Sequence, residues 1–426
     1  MEDLAERRHR FYRGKLGLTL KAPITSYEDL AVWYTPGVAQ PCKAILAKRE
    51  KVYEYTNKGN SVAVITDGSR VLGLGNIGPE AGLPVMEGKA MLFKYLGDVD
   101  AFPICLGIQD PEKIIDAVKW VAPTFGGISL EDIDAPQCFY IYERLSREME
   151  IPVFHDDQQG TSVVTLAGVV NALKVVGKKL KQVQFANIGA GAAGLAVAKL
   201  LIDAGANPGK IILVDKHGTL YRGRGSMDGW KEELAQVTNK EGRIGGISEA
   251  VKEADVLIGL SKPELITKDM VGTMAENPIV FALANPYPEI YPQEALEGGA
   301  RVVATGRSDL PNQVNNALGF PAIFRGVLDA RVRMVNTEIL LAAAYEIAEY
   351  AEEKGLSENH IMPTLMDIEV YAREAAAVVR AALATGVARE KVDPEEVRRD
   401  TEARVGRFRR ILQLMVEQGF IPLPPI

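Results

Sequence analysis

Two pairs of adjacent carboxylates are the clearest chemical signal in this 426-residue chain. Glu131 and Asp132 stand in "SLEDIDAP", and Asp156 and Asp157 stand in "VFHDDQQGT". A single pair is usually a helix cap or a solvated turn. Two pairs that each border an apolar segment instead predict a divalent cation between them, and oxygen ligands favour Mg²⁺ or Mn²⁺ over zinc. His155, beside the second pair, is interpreted as structural.

Lys89, in "GLPVMEGKA", is a candidate general base. The stretch resembles a phosphate-binding P-loop, but the spacing of its glycines and the alanine after the lysine exclude that reading. On a helix, Lys89 would have the apolar neighbours Val85, Leu92 and Phe93. An ammonium group there either extends out to solvent, the commoner outcome, or has a lowered pKa that suits proton abstraction. Both alternatives stay open.

Several polar residues in turns are candidates for binding a small polar substrate. Tyr34 precedes a Thr-Pro-Gly turn, where a tyrosine most often serves packing. Arg70 lies in the glycine-rich stretch "GSRVLGLGNIG" and offers a guanidinium that can clamp a carboxylate. Asn312, Asn315 and Asn316 offer amide donors. No G-x-S-x-G motif and no Cys/His pairing supports nucleophilic acyl chemistry.

A dinucleotide site is predicted where the apolar stretch "VQFANI" meets "GAGAAGLAVAKLLIDAG". Gly189, Gly191 and Gly194 have the G-x-G-x-x-G spacing at a strand-to-helix turn, and Asp215 ends the next apolar strand. The glycines allow a pyrophosphate to approach the helix N-terminus, and the aspartate can accept a hydrogen bond from a ribose hydroxyl. A tight turn without a ligand is the alternative, which the agreement of motif and context disfavours.

The charge of Asp215 favours NAD, because a 2′-phosphate would face a carboxylate. Lys216 and His217 follow directly and can offset that charge. We therefore predict NAD as the preferred cofactor and keep NADP as the alternative.

The elements that must position these residues form an α/β protein. Residues 1–155 mix helices with short strands such as "SVAVIT" and are predicted to be an α/β catalytic domain. Residues 156–380 are predicted to be a Rossmann-type domain, because five apolar strands alternate with helices up to residue 315 and indicate a doubly wound parallel sheet. Residues 381–426 are predicted to be a helical tail. Whether the helices after 315 return to the first domain stays open.

Composition narrows the class of protein. With 47% apolar and 25% charged residues the chain is typical of a globular protein, and no run of about 20 apolar residues could span a bilayer. A charged N-terminus and three well-separated cysteines favour a cytoplasmic location. A net charge of −7 with only short basic clusters excludes nucleic acid as an expected partner.

Taken together, the motifs resemble the malic enzymes, the decarboxylating malate dehydrogenases, in a short form. The resemblance runs through nearly the whole chain, in the order "YTPGVA", "TDGSRVLGLGNIG", "MEGKA", "LEDI", "HDDQQGT", "NIGAGAAG", "ANPYPE" and "TGRSDLPNQVNN". It implies oxidation of L-malate by NAD(P) through oxaloacetate to pyruvate and CO₂. A homodimer or higher oligomer is also expected from the resemblance.

The resemblance further implies a role for each candidate residue. Lys89 would be the general base, Tyr34 the general acid that protonates C3, and Asp156 a partner that holds Lys89 or a metal ligand in place. The implied metal ligands are Glu131, Asp132 and Asp157. The implied substrate contacts are Arg70, Asn285 and Asn315. The predicted cofactor contacts are Gly189, Gly191, Ala192, Ala193, Gly194, Asp215, Ser261 and Asn285.

Three other functions remain as alternatives from the residues alone. An amino-acid dehydrogenase also places a lysine-bearing domain before a dinucleotide domain, but it needs no metal and leaves the carboxylate pairs unexplained. A metal-dependent oxaloacetate decarboxylase would leave the glycine motif unused. A nucleotide-binding sensor without catalysis would not need Tyr34, Lys89 and all four carboxylates.

Overall fold

A computed structural model describes residues 2–424 and contains two separate parallel sheets surrounded by helices. The strands are β1 (Ser61–Thr66), β2 (Asp100–Cys105), β3 (Gly127–Leu130), β4 (Val153–His155), β5 (Phe185–Ile188), β6 (Ile211–Asp215), β7 (Gly218–Thr219), β8 (Val256–Gly259), β9 (Ile279–Ala282) and β10 (Val302–Thr305). The helices are α1 (Glu2–Tyr12), α2 (Tyr27–Trp33), α3 (Ala39–Ala47), α4 (Val52–Tyr55), α5 (Gly78–Gly97), α6 (Pro111–Val121), α7 (Gln137–Glu148), α8 (Thr161–Val175), α9 (Ala192–Asp203), α10 (Gly229–Ala235), α11 (Ile247–Val251), α12 (Lys268–Val271), α13 (Pro292–Glu297), α14 (Phe320–Asp329), α15 (Thr337–Glu353), α16 (Ile368–Ala384) and α17 (Pro394–Glu417).

The first sheet has the strand order β2-β1-β3-β4 and is wholly parallel. Its strands are runs of β-branched and apolar residues without alternation, as expected where helices cover both faces. Ile65, Leu130 and His155 are register partners across β1, β3 and β4. Because parallel strands end at the same edge, the residues after β3 and β4 meet there, and these residues are the two carboxylate pairs.

The second sheet has the order β10-β9-β8-β5-β6-β7, in which only the short β7 is antiparallel to its neighbour. All five strands predicted from the apolar stretches are present, and α9 follows β5 as predicted. The chain continues from β5 to β6 on one side and later returns to place β8 on the other side. The carboxyl edge between β5 and β8 is therefore the switch point at which doubly wound sheets bind ligands.

The helices after residue 315 pack on both units, which answers the question left open by the sequence. Helices α14, α16 and α17 contact α5 of the first unit, whereas α15 contacts α8. Phe93 of α5 packs against Phe320 and Phe324 of α14, with ring centroids 4.6 Å and 5.2 Å apart. Arg325, almost fully buried, donates to Asn60 and pairs with Asp329. The aromatic contacts hold α14 against α5, the helix that carries Lys89, and Arg325 ties α14 to Asn60, directly before β1.

The N-terminal helices are different, since α2, α3 and α4 contain no buried residue. Their large apolar side chains face outward, including Leu46 at 89% exposure and Tyr27 at 83%. The other exposed members of this N-terminal apolar surface are Leu18, Leu20, Ile24, Leu30, Val32, Trp33, Tyr34, Val38 and Tyr55. Exposed apolar side chains that form one contiguous patch mark interaction surfaces. Among the described residues, no helix is both long and apolar enough to cross a membrane.

Candidate active site

Lys89 and the two carboxylate pairs come together at the carboxyl edge of the first sheet. Lys89 projects from α5, and its Nζ donates a short hydrogen bond to Asp156 Oδ2. The same Nζ lies 3.0 Å from Glu131 Oε2 and 4.8 Å from the ring centroid of Phe320. One residue from each carboxylate pair therefore contacts the lysine.

Asp156 is the most enclosed carboxylate of this group, with no exposed surface. It begins a π-helical turn, Asp156–Gly160, that leads into α8, and such turns are frequent at functional sites. Its Oδ2 accepts a second hydrogen bond from Asn316 Nδ2 at 2.9 Å, and its Oδ1 has no hydrogen-bond partner among the described residues. Gly160 is required opposite this oxygen, because a Cβ there would lie 1.9 Å from Oδ1.

The other three carboxylates are held by groups of the same edge. Glu131 Oε1 accepts from Ser129 Oγ at 2.9 Å, and Asp157 Oδ2 accepts from the Asp132 amide at 3.0 Å. Asp132 has a left-handed φ of 52° and is 8% exposed. Asp157 is the most accessible of the three, with 35% of its side chain exposed.

Burial and neighbouring charges shift the pKa values of Lys89, Glu131 and His155. Burial lowers the pKa of Lys89, but the carboxylates of Asp156, Glu131 and Asp157 outweigh burial and raise it well above the ordinary value. Burial, assisted by the neighbouring carboxylates, raises the pKa of Glu131 well above its usual range. Burial also lowers the pKa of His155, so that this imidazole is neutral. Both environments predicted for Lys89 are therefore wrong, because its ammonium neither extends to solvent nor sits among apolar groups alone.

The donor chemistry of the cluster fits a hard divalent cation. Glu131, Asp132 and Asp157 provide carboxylate oxygens at one edge, where Asp157 also accepts from the Asp132 amide. Burial is the main cause of the raised pKa of Glu131 and the neighbouring carboxylates add to it, so a cation at this edge would relieve part of the like-charge repulsion. Within residues 2–424, however, no three His, Cys, Asp or Glu side chains are already arranged as a metal site. Binding would require these side chains to turn toward a common point.

Not all of the predicted substrate contacts touch this cluster. The backbone amide of Arg70 donates to the carbonyl of Asp132 at 3.0 Å. This hydrogen bond fixes Arg70 next to Asp132, and Arg70 itself is exposed. Asn315 accepts from the Ala317 amide and caps a 3-10 turn, so the residue that reaches Asp156 is its neighbour Asn316. Asn315 and Asn316 are adjacent in the sequence, which does not reveal which of the two side chains points inward.

Asn312 and Asn285 occupy other places. Asn312 is buried, and its amide binds the backbone of Val303, Glu358 and Ile361, which ties β10 to the segment after α15. Asn285 is exposed, follows β9, and its amide packs against Gly306.

Tyr34 is far more exposed than a residue of a closed site, at 74%. It directly follows α2, on the N-terminal apolar surface.

The predicted dinucleotide turn has the expected geometry. Gly189 has a φ of +117°, and a Cβ at this position would lie 2.4 Å from the carbonyl oxygen of Leu260. A Cβ at Gly194 would lie 1.8 Å from the Gly189 carbonyl oxygen. Gly191 caps α9, which begins with Ala192 and Ala193. The turn therefore requires glycine at positions 189 and 194, whereas a Cβ at Gly191 would meet no atom within 4 Å.

Ser261 lies across the switch point from this turn, directly after β8. Its amide donates to Glu289 Oε1 at 2.8 Å, and the Ala284 amide donates to Glu289 Oε2 at 3.0 Å. Burial raises the pKa of Glu289. Glu289, which the sequence did not single out, thus ties the ends of β8 and β9 together beside the cofactor turn.

Asp215 is engaged in a way that the sequence did not reveal. Both of its carboxylate oxygens accept hydrogen bonds from the guanidinium of Arg224, at 2.9 Å and 2.6 Å, and Lys231 Nζ lies 3.4 Å from Oδ2. Only 6% of the Asp215 side chain is exposed. Arg224 stands nine residues later in "HGTLYRGRG" and carries no local signal of this role. The carboxylate at the end of β6 is therefore paired with cationic side chains and is not an isolated negative charge.

Comparison with known proteins agrees with this geometry. The family model "Malic enzyme, N-terminal domain" matches residues 13–146, and "Malic enzyme, NAD binding domain" matches residues 158–383. The chain is 52% identical over 394 residues to the bifunctional malic/malolactic enzyme of Bacillus subtilis, covering 92% of this chain and 96% of that protein. It is 44% identical over 391 residues to the NADP-dependent malic enzyme of Halomonas elongata, covering 88% and 92%.

A solved structure gives the same result. The crystal structure of malic enzyme from Pyrococcus horikoshii is 50% identical and superposes with a TM-score of 0.92, covering 97% of this chain and 98% of that one. Sequence and fold thus agree along nearly the whole length, including both sheets. The chain belongs to the malic enzyme family, a family of NAD- and NADP-dependent enzymes.

Proposed function

We propose that the protein oxidises L-malate with NAD(P) and releases pyruvate and CO₂, with the help of a divalent cation. The observation that supports this proposal best is the contact of Lys89 with Asp156 and Glu131 at the edge of the first sheet. This contact combines a proton-transfer group with oxygen ligands in a protein that also has a dinucleotide turn. Membership in the malic enzyme family supports the same reaction class.

We infer that Glu131, Asp132 and Asp157 would hold Mg²⁺ or Mn²⁺. Such an ion would polarise the C2 oxygen of the substrate and stabilise negative charge that develops on it. Asp156 is the buried member of the cluster and binds Lys89 and Asn316, so its role is to hold the lysine rather than to bind the ion.

Lys89 is the proposed base, and its Nζ would take the proton of the malate C2 hydroxyl; a bound NAD(P) would supply the acceptor for the C2 hydride. The carboxylates around Nζ keep the amine protonated in the arrangement seen here. A second positive charge among these carboxylates would lower the affinity of Nζ for its proton, since each carboxylate would then be shared between two cations. The base would therefore become competent only in the loaded site.

Arg70 is the proposed clamp for a substrate carboxylate, because its backbone is fixed to Asp132 and its guanidinium is exposed beside the cluster. Asn285 and Asn315 are proposed as further substrate contacts. Decarboxylation of oxaloacetate leaves the enolate of pyruvate, and the Tyr34 hydroxyl is proposed to protonate C3. This step needs a closed environment, which Tyr34 does not have in a single chain.

The exposure of Tyr34 supports a homodimer. The N-terminal apolar surface carries Tyr34 and has no covering partner within the described chain. We propose that a second copy covers this surface and so excludes water from Tyr34. Sedimentation should then show a dimer or larger oligomer, and Leu46→Glu, on the same surface, should weaken association and lower activity together. A monomer with full activity would contradict this proposal.

The cofactor proposal includes both NAD and NADP. The preference for NAD was predicted from the negative charge of Asp215, but Arg224 neutralises this carboxylate and Lys231 adds a further positive charge. A 2′-phosphate near the end of β6 would meet this cationic group rather than a free carboxylate. Arg224→Ala should therefore lower the preference for NADP relative to NAD, measured as the ratio of the two kcat/KM values.

The experiment that tests the proposed function measures reduced dinucleotide and pyruvate in parallel from L-malate and Mn²⁺, with NAD or NADP and with or without EDTA. Equal amounts of both products that disappear with EDTA are expected. Reduced dinucleotide without pyruvate would identify a plain dehydrogenase. Pyruvate from oxaloacetate only would identify a decarboxylase. Activity with an amino acid instead of malate, insensitive to EDTA, would point to an amino-acid dehydrogenase.

A further inference from the structure

Trp230 joins the dinucleotide unit to the first unit. Its ring stacks on Phe139 of α7, with centroids 5.1 Å apart and an interplanar angle of 29°. Its Nε1 donates to Glu143 Oε1, also on α7, at 2.8 Å. Phe139 is buried at 6% exposure. A stack and a hydrogen bond on one side chain fix both the position and the rotation of the indole.

The residue after Trp230 reaches the cofactor end of β6. Lys231 Nζ lies 3.4 Å from Asp215 Oδ2 and 3.4 Å from Asp228 Oδ2. The Asp228 side chain also accepts from the Lys231 amide at 3.0 Å and caps α10. Consecutive helical residues point about 100° apart, so the seven-residue α10 presents Trp230 to α7 and Lys231 to Asp215 at once.

Asp215 in turn lies next to the glycine turn. The amides of Gly189 and Ala190 both donate to the carbonyl of Val214, at 2.9 Å and 3.0 Å, and Val214 precedes Asp215. A displacement of α10 would therefore shift Asp215, and Val214, the residue before Asp215, binds the dinucleotide turn.

Helix α7 is a firm support for this contact. It follows the loop that bears Glu131 and Asp132, and the Asp134 amide donates to Ser69 Oγ at 2.8 Å. Its apolar side chains, Phe139, Ile141 and Leu145 among them, are buried. The helix is thus anchored to the carboxyl edge of the first sheet, next to the proposed metal ligands.

We propose that Trp230 is a positioning residue for the cofactor: by binding α7 it holds α10 so that Lys231 stays beside Asp215 and the dinucleotide turn. The proposal rests on the proposed function, since it takes the turn to bind NAD(P). Trp230 touches neither malate nor the reacting atoms in this assignment. Its loss should therefore weaken dinucleotide binding and leave the KM for malate unchanged.

Calorimetric titration of the full-length protein with NAD and with NADP tests this. Trp230→Ala should raise the dinucleotide Kd about 10-fold, and Glu143→Ala, which removes only the hydrogen bond, roughly 3-fold. Trp230→Phe keeps a ring on Phe139 and should restore most of the affinity. Trp120→Phe is the matched control, because Trp120 is 78% exposed, and should bind as the wild type does.

The outcomes separate the inference from the proposed function. Folded Trp230→Ala and Glu143→Ala proteins with wild-type Kd values would overturn the inference while the proposed function stands. An equal rise in the malate KM would also overturn it, because a general loosening of the site would then explain both changes. If Trp230→Ala does not fold, Glu143→Ala and Trp230→Phe still decide. Failure of the wild type to bind either dinucleotide would overturn the proposed function and the inference together.

Discussion

Replacing Lys89 by methionine removes the positive charge that Asp156 and Glu131 share. Methionine keeps much of the side-chain volume and the contact with Phe320, so the change is chiefly one of charge. At the 3.0 Å separation of Lys89 and Glu131, the attraction is about 5.5 kcal/mol for an effective dielectric constant of about 20. Since burial of the ammonium offsets part of this, breaking such a pair costs about 3–5 kcal/mol.

This free energy converts into a modest but measurable change in Tm. With an unfolding entropy of about 2.1 cal/mol/K per residue, a 426-residue chain that unfolds in one transition should lose about 3–6 °C. Without added metal, Lys89→Met should therefore melt below the wild type by that amount. Mn²⁺ at 100 times its Kd adds about 2.7 kcal/mol to a protein that binds it. At one common Mn²⁺ concentration, the Tm of Lys89→Met should rise more than that of the wild type, because the cation replaces the missing charge and therefore binds the variant with a lower Kd.

The assay is thermal unfolding of both proteins with Mn²⁺ and with EDTA, together with kcat for malate. Lys89→Met should lose at least about 100-fold in kcat, as expected for removal of a general base. Lys174→Met is the control, because Lys174 pairs with Glu352 on the surface and its loss should cost about 1 kcal/mol or less. The reasoning would be refuted if Lys89→Met melted like the wild type in EDTA, or if Mn²⁺ stabilised it less than the wild type.

Three further predictions concern other contacts. Asn316→Ala removes the second hydrogen bond to Asp156 and should lower kcat about 10- to 100-fold, measured by steady-state kinetics. The Kd for the dinucleotide, measured by calorimetry, should change little. Burial raises the pKa of Asp215, but the hydrogen bonds from Arg224 lower it to about 2. Its ion pair should therefore stabilise the fold above about pH 4 and lose that contribution as the pH falls toward 2. Between pH 5 and pH 2, the free energy of unfolding should decline less steeply for Asp215→Asn than for the wild type. Phe324→Ala removes a ring that packs on Phe93 and Phe154 and should lower the free energy of unfolding, measured with urea, by about 3–5 kcal/mol. A decrease below about 1 kcal/mol would mean that these aromatic rings do not hold α14.

The strands and the glycine turn were predictable from the sequence because their causes are local. Apolar runs bounded by turns identified β1 and the five parallel strands of the second sheet, all of which are present. The spacing of Gly189, Gly191 and Gly194 reflects steric limits within one turn, and the structure shows these limits directly at Gly189 and Gly194. The carboxylate pairs were also recognisable, since two like charges at the end of a buried strand need a compensating partner.

Local spacing did not identify that partner, and only the family resemblance implied that Asp156 could hold Lys89. Lys89 was predicted to have apolar surroundings because helical spacing describes only its own helix, whereas Asp156 lies 67 residues away in the chain. Asn316 reaches Asp156 over 160 residues, and nothing in the run of neighbouring asparagines distinguishes it from Asn315. Local periodicity contains no information about which distant side chain will face a given one.

By itself, the sequence determined the two α/β units, the dinucleotide turn, the carboxylate pairs and, through the order of its motifs, the family. Only the tertiary structure decided how the charges combine: it chose Lys89 rather than a metal ligand as the partner of Asp156, added Glu131 to that contact, and paired Asp215 with Arg224. The reason is that element formation depends on interactions between residues close in the chain. A buried charge, in contrast, obtains its pKa and its function from whichever opposite charge the packing of distant elements brings within about 3 Å.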